Sequence, residues 1–265
     1  MNNNKNVRQK IPLVHCITNY VTVNDVANAL LACGGSPIMA DDIAEAGEIA
    51  SISNALVLNI GTLNERTIAS MIKAGKAANT ANIPVVLDPV GAGASSLRND
   101  TVKELVNKIN FSVIRGNLSE ISYLAGLSSN TRGVDSSDED SKNDAVSVAK
   151  LAARQYKTVI AVTGAVDVVT DGERVAKISN GVALMGKVTG TGCMLSGVVG
   201  AYVGVNDDAF EAAVSAITSM GIAGEMAFAR AAELGTGSFH IAIIDALSKI
   251  DDEIIAKDGK VNYEA

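Results

Sequence analysis

A single cysteine stands where an apolar, glycine-rich run begins, in the stretch VTGTGCMLSGVVGAYVG at residues 188–204. The composition of this run predicts a buried helix, preceded by GTGC at residues 190–193. The first N–H groups of a helix have no partner within it and lie at the positive end of its dipole. Since Gly190 and Gly192 would let a ligand approach that backbone closely, the segment predicts a phosphate-binding site. A glycine-rich bend that only begins a helix explains the same residues equally well.

The cysteine of this stretch, Cys193, could serve as a nucleophile, a proton acceptor, a metal ligand or a packing residue. No CxxC pair and no Cys/His ligand spacing joins it to Cys16 or Cys33, so neither a zinc site nor a disulfide framework is indicated. A nucleophile would need a partnering base. The two histidines are poor candidates, because His15 is predicted to be a buried or subunit-contact residue and His240 to lie at a helix start. This disfavours a Cys-dependent hydrolase or acyl transferase.

Polar and glycine-rich residues follow four apolar runs that have the composition of β-strands. They are NIGTL (59–63), DPVGAGAS (88–95), RGNLSE (115–120) and TGAVD (163–167). Any one of them is a weak sign of a site, because strand-to-helix turns favour Gly, Asn and Asp for backbone reasons. In an open parallel sheet, however, ligands bind at the carboxyl ends of the strands. The four segments together therefore predict one ligand site at one edge of a sheet.

The segment RGNLSE offers both a cation for phosphate and oxygen ligands for a metal. Arg115 can pair with phosphate oxygens. Asn117 and Glu120 are three residues apart on the first turn of a predicted helix, where both can reach one hydrated Mg²⁺ ion, and Asp88 could join them. The alternative is structural: Asn117 caps the helix, Glu120 completes a capping box, and Asp88 only ends its strand. The sequence alone leaves both interpretations open.

A βαβ alternation must position these segments. The runs that predict strands lie at 55–60, 83–88, 111–115 and 157–164. Because they are apolar throughout and alternate with alanine-rich helical segments, they predict an α/β fold with a mostly parallel sheet covered by helices on both faces. The Asp-Gly pair within residues 167–178 predicts a small antiparallel hairpin at one edge, and the chain after it is predicted to be almost entirely helical. Without a repeat or a linker, residues 1–265 are expected to form one domain.

The composition argues against several classes of partner. The net charge is −7 and the Lys and Arg residues form no cluster, so we expect neither nucleic acid nor an anionic membrane surface as a partner. The start, MNNNKNVRQK, lacks the apolar stretch of a signal peptide, and no uninterrupted apolar segment reaches the ~20 residues of a membrane span. We therefore expect a cytoplasmic protein. Residues 133–144 are expected to form a solvated loop and a helix start, and SMGIAG at 219–224 is expected to pack in the core.

Neither GxxxxGK[ST] nor a strand-linked GxGxxG occurs, which disfavours P-loop NTPases and Rossmann dehydrogenases. Five segments together resemble instead the hydroxyethylthiazole kinases, a family of the ribokinase-like superfamily. They are HCITNYVTVNDVANALLACGGSPIMADD, LDPVGAGAS, RGNLSEI, VTGAVDVVTDG and VTGTGCMLSGVVGAYV. The resemblance spans residues 11 to about 255. It implies a ribokinase-like fold and ATP-dependent phosphorylation of the hydroxyl of 4-methyl-5-(2-hydroxyethyl)thiazole in thiamine biosynthesis or salvage, by a homotrimer with sites between subunits.

The resemblance also implies which residues contact the substrate. It places Met39 and Gly190 on the thiazole, with Asn19 and Gly61 as neighbours. The polarizable thioether of Met39 suits a flat sulfur heterocycle. Without the resemblance, core packing is the simpler interpretation of Met39.

A second set of residues is implied on the nucleotide side. ATP would contact Arg115, Thr163, Asn117 and Gly192, and Mg²⁺ would lie near Asp88 and Glu120. Most ribokinase-like enzymes carry Asp where this sequence has Cys193, so the thiol is expected to stand in for a base that takes the proton of the substrate hydroxyl. Phosphoryl transfer to an alcohol needs mainly positioning and charge neutralisation, so a weak base can suffice.

Other functions share parts of this pattern. A kinase for another small alcohol, of the hydroxymethylpyrimidine or pyridoxal type, or an enzyme that repairs hydrated nicotinamide cofactors would use the same phosphate loop. A non-catalytic sensor would bind ATP and its ligand but form no product. The first of the five segments favours thiazole, and the set Arg115, Asn117, Glu120 and Cys193 favours catalysis over sensing.

Overall fold

The computed structural model describes residues 3–127 and 138–264, and in these residues the strands form one nine-stranded sheet. The strands are β1 (Leu13–Ile17), β2 (Ser36–Ile38), β3 (Ala55–Asn59), β4 (Val85–Asp88), β5 (Val113–Asn117), β6 (Val159–Thr163), β7 (Asp167–Thr170), β8 (Val175–Ile178) and β9 (Val261–Glu264). The helices are α1 (Asn3–Lys10), α2 (Val23–Cys33), α3 (Ala46–Ile52), α4 (Glu65–Thr80), α5 (Ser96–Lys108), α6 (Leu118–Leu124), α7 (Asp138–Tyr156), α8 (Thr191–Val203), α9 (Ala209–Ala231), α10 (Thr236–Leu247) and α11 (Asp252–Asp258). Short 3-10 helices cover Ala183–Lys187 and Ala232–Leu234.

The sheet is parallel over most of its width. Its strand order is β2-β1-β3-β4-β5-β6-β7-β8-β9. The first six strands pair in parallel, and β7, β8 and β9 are added antiparallel. The four predicted strands are confirmed as β3 to β6, and the predicted hairpin is confirmed as β7 and β8.

Three strands escape the sequence prediction. The helices predicted from Thr191 to residue 256 are confirmed as α8 to α11, but β9, which follows them, is not part of the prediction; it pairs with β8 and extends the antiparallel edge. Strand β9 has only four residues, is partly exposed and contains no apolar run that would predict a strand. An ion pair of 2.7 Å between Lys177 and Glu264 links it to β8. At the other edge, β1 carries His15 among its apolar residues and β2 has only three residues.

Helices cover both faces of the sheet, as predicted. Successive residues of a strand point to opposite faces, and Val57 and Leu58 of β3 accordingly belong to different cores. One core packs the sheet against α1, α2, α8, α9 and α10, and the other packs it against α3 to α7. On each face, helices therefore cover alternate residues of the same strands. Polar side chains meet at the ends of the strands, outside the two cores.

Among the described residues, one helical segment is long and apolar enough to cross a membrane. It is α9 with the 3-10 turn that follows it, Ala209–Leu234. However, 78% of its apolar window is buried inside the protein, which is typical of a core helix. Its glycines serve this packing: an added Cβ would come within 2.6 Å of Asn180 at Gly221 and would strike Met185 at Gly224. The expected core role of SMGIAG is confirmed.

Two helix starts agree with the sequence prediction. Helix α7 begins at Asp138, within the acidic stretch, whereas the loop expected at 133–137 lies outside the described residues. Helix α8 begins at Thr191, directly after Gly190. Gly190 has a φ of 91°, a left-handed conformation that glycine adopts without strain.

Candidate active site

The carboxyl ends of the parallel strands bring the predicted site residues to one edge of the sheet. Asn59 ends β3 and Asp88 ends β4, and the two residues are paired in register. Asn117 ends β5 and Thr163 ends β6, and they are paired as well. The predicted convergence of strand ends is confirmed, and the start of α8 meets them there through the contacts of Cys193.

Two side-chain amides hold the sulfur of Cys193. The Nδ2 atom of Asn19 donates to Sγ over 3.0 Å, and the Nδ2 atom of Asn59 lies 3.4 Å from it. Among the described residues, the hydrogen bonds to Cys193 come from these amides and from no histidine. Cys193 is half-buried, whereas Cys16 and Cys33 are buried. This arrangement suits a proton acceptor and gives no base for a nucleophile.

Asp88 is the buried anchor of the site. Its Oδ2 atom accepts hydrogen bonds from Asn59 Nδ2 (2.7 Å) and Ser196 Oγ (2.8 Å), and lies 3.4 Å from Arg115 Nη1. Its Oδ1 atom is buried without a partner among the described residues. Burial raises the pKa of Asp88 above its ordinary value, although Arg115 and the two donors oppose this change.

Arg115 joins the strand ends to the first turn of α8. Its Nη2 atom donates to Thr163 Oγ1 over 2.8 Å. An added Cβ at Gly192 would lie 2.9 Å from Nη1, so glycine lets the guanidinium lie against the helix start. The first intrahelical bond of α8 runs from Met194 N to Gly190 O (2.8 Å), and the N–H groups before it lie at the positive end of the helix. The guanidinium and this helix start together form a cationic surface for phosphate oxygens.

Asp167, at the start of β7, adds a carboxyl group within reach of the charge of Arg115. Its Oδ1 atom accepts a hydrogen bond from Gly164 N over 2.9 Å. Burial raises the pKa of Asp167 to about 6, while the Gly164 N–H and the charge of Arg115 lower it. A carboxyl group with this pKa is mainly ionised at neutral pH.

The capping box proposed for Asn117 and Glu120 is present. Asn117 Oδ1 accepts from Glu120 N (2.9 Å), and Glu120 Oε2 accepts from Asn117 N (2.8 Å). The other oxygen, Oε1, accepts from Gly91 N over 2.8 Å. Glu120 therefore caps α6 and also holds the loop after β4, with both carboxylate oxygens on backbone N–H groups.

The residues expected around the thiazole fall into two groups. Gly61 lies against Asn19, since an added Cβ there would lie 2.8 Å from Asn19 Nδ2. Gly190 lies against Thr22, since an added Cβ at Gly190 would lie 2.7 Å from Thr22 Cγ2. Met39 comes directly after β2, the outermost of the parallel strands. It is half-buried and packs against the same core as Cys193. Asn19, Gly61 and Gly190 thus lie close to Cys193, whereas Met39 is joined to it only through this core.

Known proteins match this chain over nearly its whole length. A model of the hydroxyethylthiazole kinase family matches residues 4–253. This chain belongs to the hydroxyethylthiazole kinase family. A hydroxyethylthiazole kinase from Ruminiclostridium cellulolyticum is 58% identical over 97% of this chain and 94% of that protein. One from Clostridium beijerinckii is 57% identical over 96% of this chain and 94% of its own length.

Solved structures agree with the family assignment. The hydroxyethylthiazole kinase of Pyrococcus horikoshii OT3 has a TM-score of 0.91 at 41% identity and covers 99% of this chain and 98% of its own. The pyridoxal kinase of Staphylococcus aureus in complex with AMP-PCP has a TM-score of 0.58 at 17% identity over 81% of this chain and 88% of its own, a likeness of fold alone. The resemblance inferred from the five segments and the ribokinase-like α/β fold are confirmed.

Three residues that the structure places at the site were not assigned from the sequence. Asn59 and Ser196 both donate to Asp88. Arg98, on α5, donates from Nη1 to Ile60 O (2.6 Å) and from Nη2 to Gly61 O (2.7 Å), which fixes the loop after β3. The segment NIGTL contained the signal for Asn59, whose side chain follows an apolar strand, but a turn residue explains the same pattern.

The two histidines lie outside the Cys193 cluster. His15 is fully buried, as predicted, and its Nε2 atom donates to Ala40 O over 2.6 Å. Burial lowers the pKa of His15, so its ring is neutral at neutral pH. His240 lies in the second turn of α10, close to the predicted helix start, with Nε2 3.1 Å from Asp25 Oδ1. Neither position supports a Cys-His nucleophile pair.

Proposed function

We propose that this protein transfers the γ-phosphoryl group of ATP to the hydroxyl group of 4-methyl-5-(2-hydroxyethyl)thiazole, in thiamine biosynthesis or salvage. The observation that carries the proposal is that Cys193, held by two amides, directly follows Gly192, against which Arg115 lies. A proton acceptor is thereby adjacent to a cationic phosphate surface. The hydroxyl oxygen forms a new bond to the γ-phosphorus, and the bond between that phosphorus and the β–γ bridging oxygen breaks, so that ADP leaves with the bridging oxygen. The hydroxyl proton passes to the sulfur.

The nucleotide side is assigned to Arg115, Thr163, Asn117 and Gly192. Arg115 would pair with phosphate oxygens, and Thr163, which accepts its 2.8 Å hydrogen bond, would hold the guanidinium at the end of β6. Gly192 would let a phosphate approach the N–H groups at the start of α8. Asn117, whose side chain caps α6 at the exposed rim, would contact the nucleotide from the neighbouring strand.

The acceptor side is assigned to Met39, Asn19, Gly61 and Gly190. The thioether of Met39 would pack on the thiazole ring. Gly61 and Gly190 have no room for a side chain beside Asn19 and Thr22, so their backbone can contact the substrate directly. Asn19 would then border both the substrate and the sulfur of Cys193.

Mg²⁺ fits this site as an ion that arrives with the nucleotide. In the described residues no three His, Cys, Asp or Glu side chains cluster in a way that could hold a metal, which suits an ion bound mainly through phosphate oxygens and water. The buried Oδ1 of Asp88, which has no protein partner among these residues, is an oxygen that such an ion would use. Glu120 would reach the ion through water, since backbone N–H groups occupy both of its oxygens. When bound, Mg²⁺ would neutralise phosphate charge.

The assembly is proposed to be a homotrimer with sites between subunits, in a cytoplasmic protein whose chain is one domain. Support comes from exposed apolar residues on α9 with its following turn, on α10 and directly before α2, elements that contact one another; we call them the apolar surface, and they are Tyr20, Val21, Phe228, Leu234 and Ile241. Tyr20 is 76% exposed and Leu234 is 71% exposed. Tyr20 and Val21 directly follow Asn19, and α10, which carries Ile241, contacts α2. A neighbouring subunit that covers this surface would also border the thiazole site.

The test is a product assay with matched acceptors. The pure protein is incubated with ATP and Mg²⁺ and with hydroxyethylthiazole, a hydroxymethylpyrimidine or pyridoxal, and the products are identified by mass. We expect the thiazole phosphate as the main product, and Arg115→Ala as the control should strongly reduce it. A protein that binds ATP and thiazole without product would be a sensor, and preference for another alcohol would replace the substrate assignment.

A further inference from the structure

We propose that Asn59 is a positioning residue that links Asp88 to Cys193 and holds the cysteine sulfur as a proton acceptor. The proposal rests on the proposed role of Cys193 in phosphoryl transfer and adds a residue to it. Asn59 is 1% exposed and lies between the two groups, with Nδ2 2.7 Å from Asp88 Oδ2 and 3.4 Å from Cys193 Sγ. Substrate therefore does not reach Asn59 itself, and Asn59 acts through the groups that it holds, Cys193 and Asp88.

The orientation of the Asn59 amide is fixed from two sides. Its Oδ1 atom accepts a hydrogen bond from Gly61 N over 2.9 Å, and a backbone N–H group can bind only the oxygen end of an amide. The opposite end faces the Asp88 carboxylate, which binds only a donor. If the amide were flipped, its oxygen would face the Asp88 carboxylate, and its NH₂ group would face the N–H group of Gly61. The N–H groups of Asn59 must therefore point towards Asp88 and the sulfur.

The same reasoning applies to the second amide on the sulfur. Asn19 Oδ1 accepts from Thr22 N (3.2 Å) and from Thr22 Oγ1 (3.1 Å), so its Nδ2 atom faces Cys193 Sγ at 3.0 Å and Asn59 Oδ1 at 3.4 Å. Two donors directed at one sulfur suit a thiolate, which accepts hydrogen bonds more strongly than a thiol. Asn59 differs from Asn19 in also binding Asp88, and through Asp88 it is connected to Arg115 on the phosphate side.

The reactivity of Cys193 gives a readout that needs no substrate. The chain has three cysteines. Burial raises the pKa of Cys16 to about 12 and of Cys33 to about 11, so neither is a thiolate near neutral pH. Alkylation by iodoacetamide, which reacts with the thiolate, therefore reports on Cys193, and mass spectrometry of its peptide gives the rate at each pH.

The variant Asn59→Ala removes a donor from the sulfur and from Asp88, and it removes the acceptor of Gly61 N and of Asn19 Nδ2. We expect the pH midpoint of Cys193 alkylation to rise by about half a unit to one unit, and kcat at pH 7 to fall roughly 3- to 10-fold with an unchanged KM for ATP. The charged and titratable groups around the cluster stay in place: Asp88 on β4, Arg115 on β5, and Asp25 of α2 beside Gly190, with His240 of α10 3.1 Å from Asp25.

Ser196→Ala is the matched control, because Ser196 donates to the same Asp88 oxygen (2.8 Å), whereas the hydrogen bonds to the sulfur come from Asn19 and Asn59 among the described residues. Its alkylation midpoint should equal that of the native protein. Asn59→Ser, which keeps a small donor, should shift the midpoint in the same direction by less and serves if Asn59→Ala unfolds. An unchanged midpoint in a folded Asn59 variant, or an equal shift in Ser196→Ala, would overturn the proposal. Failure of the native protein to form thiazole phosphate would refute the proposed function separately, since alkylation is measured without substrates.

Discussion

Cys193 is held by amide groups, and this decides what other side chain could replace it. Two N–H donors converge on its sulfur, from Asn19 at 3.0 Å and from Asn59 at 3.4 Å. A carboxylate at the same position would accept the same two donors and would be ionised at neutral pH. A hydroxyl group would also fit the space, but it is a far weaker base. The site is therefore arranged for an acceptor of negative charge.

Substitution of Cys193 tests its role as the proton acceptor. We expect Cys193→Ser to lose activity and Cys193→Asp to retain much of it or to exceed the native rate. General bases contribute roughly 10²- to 10⁴-fold, and the loose transition state of phosphoryl transfer favours the low end of this range or less. The measurement is single-turnover formation of thiazole phosphate by both variants from about pH 6 to pH 9.

ATP binding is the internal control for these two variants. Arg115 and the N–H groups at the start of α8 are unchanged, so the affinity for ATP should survive both substitutions. An inactive Asp variant beside a fully active Ser variant would rule out Cys193 as the base. It would leave the cysteine as a packing residue at the helix start.

The residues around Cys193 could be predicted only in part. Arg115, Asp88 and Thr163 follow or end recognisable strands, so the rule for parallel sheets brings them together. The contact of Asn59 with Cys193 joins residues 134 positions apart, and that of Ser196 with Asp88 joins residues 108 apart. Without the register of the strands, no local spacing indicates these pairs.

At the scale of elements, the start of α6 has two tasks. Glu120 caps the helix through Asn117 N and holds the loop after β4 through Gly91 N. The same loop is held from the other side by Arg98, which donates to Val90 O and also to Gly61 O on the loop after β3. Loss of the Glu120 charge would therefore affect the positions of two site loops as well as any nearby cation.

The variant Glu120→Gln should lower both turnover and stability. A glutamine has one oxygen acceptor, so either Gly91 N or Asn117 N meets an amide donor, at a cost of about 1–2 kcal/mol in the free energy of unfolding. If Glu120 also serves Mg²⁺, kcat should fall by more than this loss of stability explains, with thiazole binding little changed. Denaturant unfolding and kcat at saturating Mg²⁺ measure the two effects.

Asp251→Ala supplies the comparison for Glu120→Gln. Asp251 caps α11 through Ile254 N over 2.8 Å, away from the strand ends of the site. Its loss should lower stability by about 1 kcal/mol and leave kcat unchanged. Full kcat of Glu120→Gln at saturating Mg²⁺ would mean that Glu120 has only its structural tasks, at the start of α6 and on the loop after β4.

The elements were predictable where apolar patterning was long and local. Strands β3, β4 and β6 are buried on both faces and appear as continuous apolar runs, and β5 begins with the buried pair Val113 and Ile114. Strand β9 is different: its Tyr263 packs near Phe210 of α9, with ring centroids 6.3 Å apart, and its pairing with β8 joins distant parts of the chain. Such a strand is specified by tertiary contacts, and its own residues carry little signal.

At the scale of the whole molecule, the apolar surface beside the site is the feature that a single chain leaves unexplained. Its members Tyr20, Val21 and Ile241 lie on or beside α2 and α10, which contact each other. Ile52, at the end of α3, is comparably apolar and 70% exposed, but it belongs to an element that packs on the opposite face of the sheet. A charge introduced at Ile241 would alter both assembly and the charge of the surface, whereas a charge introduced at Ile52 would alter the charge of the surface alone.

The native protein should have a mass in solution close to three times the 27.2 kDa of its chain, measured by light scattering. Ile241→Glu places a charge on the apolar surface, so it should lower both the mass and kcat, because a buried unpaired charge at an interface is costly. Ile52→Glu should remain a trimer with native kcat. A native monomer with full activity would exclude the shared-site proposal. A trimeric, fully active Ile241→Glu would instead place the interface elsewhere on the molecule.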